Sequence, residues 1–269
     1  MLPIHFLPPK SLEAYIAFYG ITDVDEGFHE SYVSPPLGLC GFIISLEGEM
    51  NANINGSLFL KDKYCATGQI TAPMTGDIVG PNKLLMIFIQ PCGLHQLFGI
   101  DMSQLTNTSM PLSQLLGKEE ADMLIEKLVA TDNHEKMIQV MNDFFSEQLP
   151  VFEIAPKVKD AIDYIHQQKG NVTVKQIEQN CFITARSLER HFKTYIGLSP
   201  KEYAKIFRFK CLVNFINQNP GLTWDALCEQ NGYYDQSHLT RYFNRYMKIK
   251  PMELVNLDMD FINYLLQEP

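Results

Sequence analysis

The sequence predicts an α+β fold, a β-rich N-terminal half followed by an all-α C-terminal half, and three observations lead there. Residues 4–89 break into short apolar runs punctuated by Gly, Pro and Asn, the rhythm of strands and turns. Residues 177–200 and 227–251 spell one helical pattern twice. Charge divides the same way: residues 1–150 hold 7 Lys/Arg against 18 Asp/Glu, whereas residues 170–252 hold 12 against 6. With 269 residues and 46% hydrophobic content, the chain can bury two cores. The boundary is placed at residue 150, giving domains 1–150 and 151–257 and a tail at 258–269.

In the first half, Leu39 to Leu46, Ser57 to Leu60 and Leu84 to Ile89 are strand-length apolar runs. Asn53-Ile54-Asn55-Gly56 supplies a hairpin turn, since Asn and Gly accept the positive φ of a two-residue loop. Such runs predict a sandwich or a small barrel, cupin-like in outline. From Pro91-Cys92-Gly93-Leu94-His95 the pattern turns helical. Residues 118–149 contain two amphipathic helices. Leu124, Ile125 and Leu128 line the first; Met137, Val140, Met141, Phe144 and Phe145 line the second. Three uses are open for the broad, Met-rich second stripe. It covers the β-rich core, docks on the C-terminal half, or joins two copies of the chain as a homodimer through residues 118–149.

The repeat in the second half is explicit. Sliding the chain by 51 residues superposes Leu188 on Leu239, Arg190 on Arg241, Phe192 on Phe243, Tyr195 on Tyr246 and Pro200 on Pro251. Upstream the offset is 50, with Ile177 on Leu227, so the second turn is one residue longer. A short helix, a tight turn and a second helix with an apolar spine and a basic flank make a helix-turn-helix unit. The units lie at about 174–197 and 224–248. An apolar spine alone means only a helical core; the basic residues repeated in register point beyond it, to DNA.

Local signals mark each helix. Thr173 with Gln176 is a capping box, and Thr184 caps the helix carrying Leu188, Phe192 and Tyr195. Gly197 suits a left-handed C-terminal cap. Ser199-Pro200 opens a long helix through Tyr203, Ile206, Phe207, Leu212, Phe215 and Ile216, which Asn219-Pro220-Gly221 breaks. It spans roughly 28 Å at 1.5 Å per residue, enough to hold two recognition helices about one DNA turn apart. Thr223 and Asp235 cap the helices of the second unit, and Gly232-Tyr233-Tyr234 makes its turn.

The stretch from about Pro156 to Val255 resembles the DNA-binding domain of the AraC/XylS family of bacterial transcription regulators. Thr184, Leu188, Arg190 and Phe192 carry the resemblance, with Gly197-Leu198-Ser199-Pro200 and Tyr203. Gly232-Tyr233, Asp235-Gln236-Ser237-His238-Leu239 and Arg241-Tyr242-Phe243 carry it in the second unit. Three positions depart: Glu178 replaces an alanine, Phe182 a small turn residue, and Lys248 the glycine that matches Gly197. The β-rich half resembles, in architecture only, the sensory halves of such regulators.

The resemblance implies base readout by Arg186, Glu189 and Arg190 on the first recognition helix and by Gln236, Ser237, His238 and Arg241 on the second. For Glu189 the alternative is an i,i+4 pair with Lys193. Lys193, Lys201, Arg245 and Lys250 are the candidate phosphate anchors. The implied partners are double-stranded DNA, RNA polymerase and a small-molecule effector, with no cofactor and no membrane.

An enzyme or a protein-interaction module with degenerate DNA binding are the other functions considered. No GxSxG, HExxH or GxGxxG motif occurs, and His5, His29, His95 and His134 lack the HxH spacing of a cupin metal site. The six cysteines form no CxxC pair and predict reduced, buried thiols in a cytoplasmic protein. No signal peptide and no run of about 20 apolar residues is legible.

Overall fold

The computed structural model describes residues 3–149, 152–219, 221–230, 232, 233 and 235–248, and of Trp224 and His238 the backbone only. Tyr234, Lys250, Pro251, the tail and the His238 side chain therefore lie outside the described residues.

Among the described residues, ten antiparallel strands build two sheets. They are β1 (Ile4–Phe6), β2 (Ile16–Val24), β3 (His29–Ser34), β4 (Cys40–Glu47), β5 (Met50–Ile54), β6 (Ser57–Leu58), β7 (Tyr64–Thr67), β8 (Met74–Val79), β9 (Asn82–Ile89) and β10 (Ser109–Pro111). The larger sheet runs β1-β2-β9-β4-β7-β10 and the smaller β3-β8-β5-β6. The expected hairpin is present: Ile54 pairs with Ser57, and Asn55 and Gly56 take φ of 51° and 77°.

The pleat sorts the side chains of the large sheet. Along β4, Cys40, Phe42 and Ile44 belong to one core, whereas Ile43 packs with the smaller sheet against Met50 and Met74. That alternation is the period of two in a strand buried on both faces. The first face is roofed by helices α1 (Gly93–Phe98), α2 (Leu112–Leu116), α3 (Lys118–Val129) and α4 (His134–Glu147).

The apolar stripe of α4 is spent inside this fold. Met137, Met141, Phe144 and Phe145 are buried, and the Phe145 ring lies 5.6 Å from that of Phe42 on β4. Tyr19 on β2 donates a 2.8 Å hydrogen bond to Asn142 Oδ1, and His134 Nε2 stands 2.9 Å from Asp23. Of the uses left open, covering the β-rich core is the one observed for these residues.

The helical half comprises α5 (Pro156–Gln167), α6 (Val174–Cys181), α7 (Ala185–Ile196), α8 (Pro200–Gln218), α9 (Trp224–Gln230) and α10 (Gln236–Tyr246). Its core extends into the β-rich half, because Ala17, Phe18, Leu37 and Cys92 share one cluster with Ile165, Phe192 and Tyr203. Among the described residues, no helix is long and apolar enough to cross a membrane.

Replacing Met141 and Phe145 together by Glu forces two carboxylates into a closed core and should abolish cooperative unfolding. Phe145→Ala alone should cost about 3–5 kcal/mol. Urea denaturation of the full chain, followed by far-ultraviolet circular dichroism, measures both; a soluble, folded double variant would place the stripe outside the core.

Candidate nucleic-acid interface

Both recognition helices are set up by short-range chemistry. At α6, Thr173 accepts from Gln176 N while the Gln176 side chain returns to Thr173 N, closing the capping box. Thr184 accepts from Ser187 N at the start of α7. Glu178, the departure in α6, has a role that sequence reasoning missed: its Oε1 accepts from Ala185 N and gives α7 a second cap. Together the two oxygens satisfy two of the amides that a helix start leaves without partners. Leu188, Phe192 and Ile196 then bury the inner face of α7.

Gly197 ends α7 at φ 91°, its amide donating to the carbonyls of Phe192 and Lys193. It also lets the β-rich half come close, since a Cβ there would stand 2.7 Å from Met102 O. Thr106 Oγ1 donates to Gly197 O at 2.6 Å, and the His95 ring lies 4.5 Å from that of Tyr195. The end of the first recognition helix is thus held by the other half of the chain.

The second unit repeats the first with different fittings. Thr223 Oγ1 accepts from Ala226 N, and α10 buries Leu239, Phe243 and Tyr246. Its turn is clamped by Arg208 of α8, whose guanidinium donates to Gly232 O at 2.6 Å and lies 4.2 Å from the Tyr233 ring centroid. Lys248, standing where the first unit has Gly197, takes φ 58°. A left-handed lysine costs about 1 kcal/mol that glycine avoids.

Helix α8 joins the units through repeat-equivalent rings. Phe192 meets Tyr203 edge-on at 6.0 Å, and Phe243 meets Phe209 edge-on at 5.3 Å. Tyr203 and Phe209 are six residues apart, about 9 Å along α8 and about 120° around it. The two units therefore seat at different points along α8 and on different sides of it.

The exposed faces carry most of the anticipated readout residues. Arg186, Glu189 and Arg190 are exposed on α7, and Gln236, Ser237 and Arg241 on α10. Gln236 Nε2 donates to Asp225 Oδ1 at 3.0 Å, which fixes its amide orientation. The Arg190 guanidinium lies 3.4 Å from His191 Nε2. Burial, and then the Arg190 charge, lower the pKa of His191 and favour the neutral ring beside that guanidinium.

Lys193 and Lys201 are exposed beside the first unit. Arg245 is different: its guanidinium pairs with Glu202 at 2.6 Å and lies over the Tyr246 ring at 5.3 Å. This pair ties α10 to α8 while leaving the Arg245 side chain half exposed. The cysteines fit the expected inert role, since burial pushes the Cys40, Cys65 and Cys92 thiols up to about 12.

Two family models match parts of this chain. Residues 179–256 match the family described as "Helix-turn-helix domain", and residues 4–111 match "Domain of unknown function (DUF6597)". The lactose operon transcription activator of Staphylococcus xylosus is 23% identical over 220 residues, covering 78% of each chain. Among solved structures, ToxT from Vibrio cholerae is 11% identical with a TM-score of 0.48, over 89% of this chain and 98% of its own. The AraC-like transcriptional activator CuxR is 14% identical with a TM-score of 0.33, over 80% and 87%.

Glu178→Ala should lower stability by about 1 kcal/mol through the lost cap. Lys248→Gly should raise it by up to ~1 kcal/mol. Thermal denaturation of the two variants checks the opposite signs. With two capped units on one spine and a helix-turn-helix family match over residues 179–256, the chain is a DNA-binding transcription regulator whose tandem units resemble those of the AraC/XylS family.

Proposed function

We propose that the chain reads two adjacent major-groove segments of one duplex with α7 and α10, with a division near residue 150 between a regulatory half and this DNA-binding half. The observation that carries the proposal is the paired exposure of Arg186, Glu189 and Arg190 on α7 and of Gln236, Ser237 and Arg241 on α10. Arginine grips guanine through two donors, glutamine pairs with adenine, and glutamate accepts from cytosine. Lys193 and Lys201 lie where the backbone of the duplex passes and serve to position it. His238 and Lys250 join the two sets by motif alone. A regulator rather than an enzyme is the function these surfaces serve, and RNA polymerase is the partner that the AraC/XylS resemblance supplies.

The regulatory half has a place for a small apolar effector. A cavity of about 80 Å³ between the two sheets is lined by Leu37, Leu39, Phe42, Phe59, Met86 and Phe88. Leu37 and Leu39 also line a cavity of about 230 Å³ at the junction with Tyr203 and Phe207 of α8. A ligand in the first cavity acts on DNA binding through those shared leucines. Its effect is limited to its differential affinity for the free and DNA-bound arrangements.

Selection of bound sequences from random duplexes supplies the cognate site for the test. Arg186→Ala should then cost about 1–3 kcal/mol at that site and relax one base position. Lys193→Ala and Lys201→Ala should instead weaken binding to all duplexes and each reduce the salt slope by about one counterion. Equal weakening of cognate and random DNA by Arg186→Ala would make Arg186 a phosphate ligand, and unchanged slopes in both lysine variants would contradict the docking.

A further inference from the structure

Phe182 is the most exposed of the large apolar side chains among the described residues, at 80%. It sits in the turn between α6 and α7 with φ 51° and ψ 43°. A bulky residue rarely adopts that conformation, which glycine or asparagine takes readily. The turn does not need an aromatic for packing, because the neighbouring Ile183 and Cys181 fill the core beneath it. Two costs therefore meet at one position, an unfavourable backbone and an apolar ring in water, and neither is offset within the fold.

The surroundings indicate what offsets them. Lys157 reaches from α5 to donate to Phe182 O, so an ammonium stands beside the ring's own backbone. Two residues on is the cap Thr184, and four on is the exposed Arg186. The nearby carboxylate of Glu178 is engaged as the second cap of α7. The exposed ring thus sits next to the proposed readout face with the Lys157 ammonium at its own carbonyl, a setting for a polyanion with apolar sugar surfaces rather than for an apolar protein groove.

We propose that Phe182 is a DNA contact, its ring packing on deoxyribose at the edge of the segment read by α7 while Lys157 faces the adjoining phosphate. The inference rests on the DNA-reading function above. It adds an apolar contact that is blind to sequence and releases no counterions.

The test uses the full-length protein, the duplex selected as above and an unrelated duplex, with affinity measured across a salt series. Phe182→Asn and Phe182→Gly both suit the left-handed turn. Each should keep or raise the thermal midpoint and lower affinity for both duplexes about fivefold, the change expected for removing part of an aromatic face from water. The salt slope should not move, unlike that of the Lys193 variant, and Phe182→Tyr should bind as the wild type does. Wild-type affinity in either the Asn or the Gly variant overturns the proposal while leaving DNA reading intact. A wild-type dimer that Phe182→Asn converts to a monomer would assign the ring to a second copy instead. Failure of the wild type to bind any duplex would overturn the underlying function itself.

Discussion

The helical half depends on one constraint, the seating of two equivalent rings on α8. Phe192 and Phe243 occupy the same place in the two units, and each meets an aromatic of α8 edge-on, Tyr203 and Phe209. Such pairs hold orientation as well as area, because the ring quadrupoles favour the edge-on approach. These two seats fix where each recognition helix meets α8. The Arg208 clamp on the second turn and the Arg245–Glu202 pair fasten the second unit to the same helix. A surface ion pair adds little by itself, but this one lies over the Tyr246 ring and shares Glu202 with the Tyr246 hydroxyl.

The β-rich half is joined to that spine and does not hang from a free linker. Phe18 and Leu37 enter the helical core, and Thr106 bonds to the carbonyl of Gly197 at the end of α7. Tyr203 is shared between the two functions: it seats Phe192, and its hydroxyl lies 2.8 Å from His166 Nε2 on α5. Leu37 and Tyr203 share one core cluster, so a change in how Leu37 packs reaches the seat of the first recognition helix through that core. The coupling offered is mechanical proximity between a cavity and a helix, and its size is the differential affinity of whatever occupies that cavity.

The units were legible because their signals are local. The capping box at Thr173, the cap at Thr184, the left-handed glycine at 197 and the Ser199-Pro200 start each involve residues within one turn, and all appear as expected. Contacts between distant residues were not legible. Nothing near Arg245 in the chain shows that it pairs with Glu202, 43 residues upstream. Glu178 looked like a departure from the family, and only the folded turn brings its carboxylate to Ala185 N. The stripe on α4 shows the same limit: helical periodicity says that a face is buried, and not against what.

The central claim is that one chain presents two recognition helices to one face of the duplex, held by α8 and not by dimerisation. Methylation protection on the selected duplex, with the protein at a concentration where sedimentation shows a monomer, tests it most directly. The account predicts two protected major-groove segments about one turn, ~34 Å, apart. Phe209→Ala should blur the segment read by α10 while leaving that of α7 sharp. A single protected segment from the wild-type monomer, or two that appear only when a dimer forms, would contradict it.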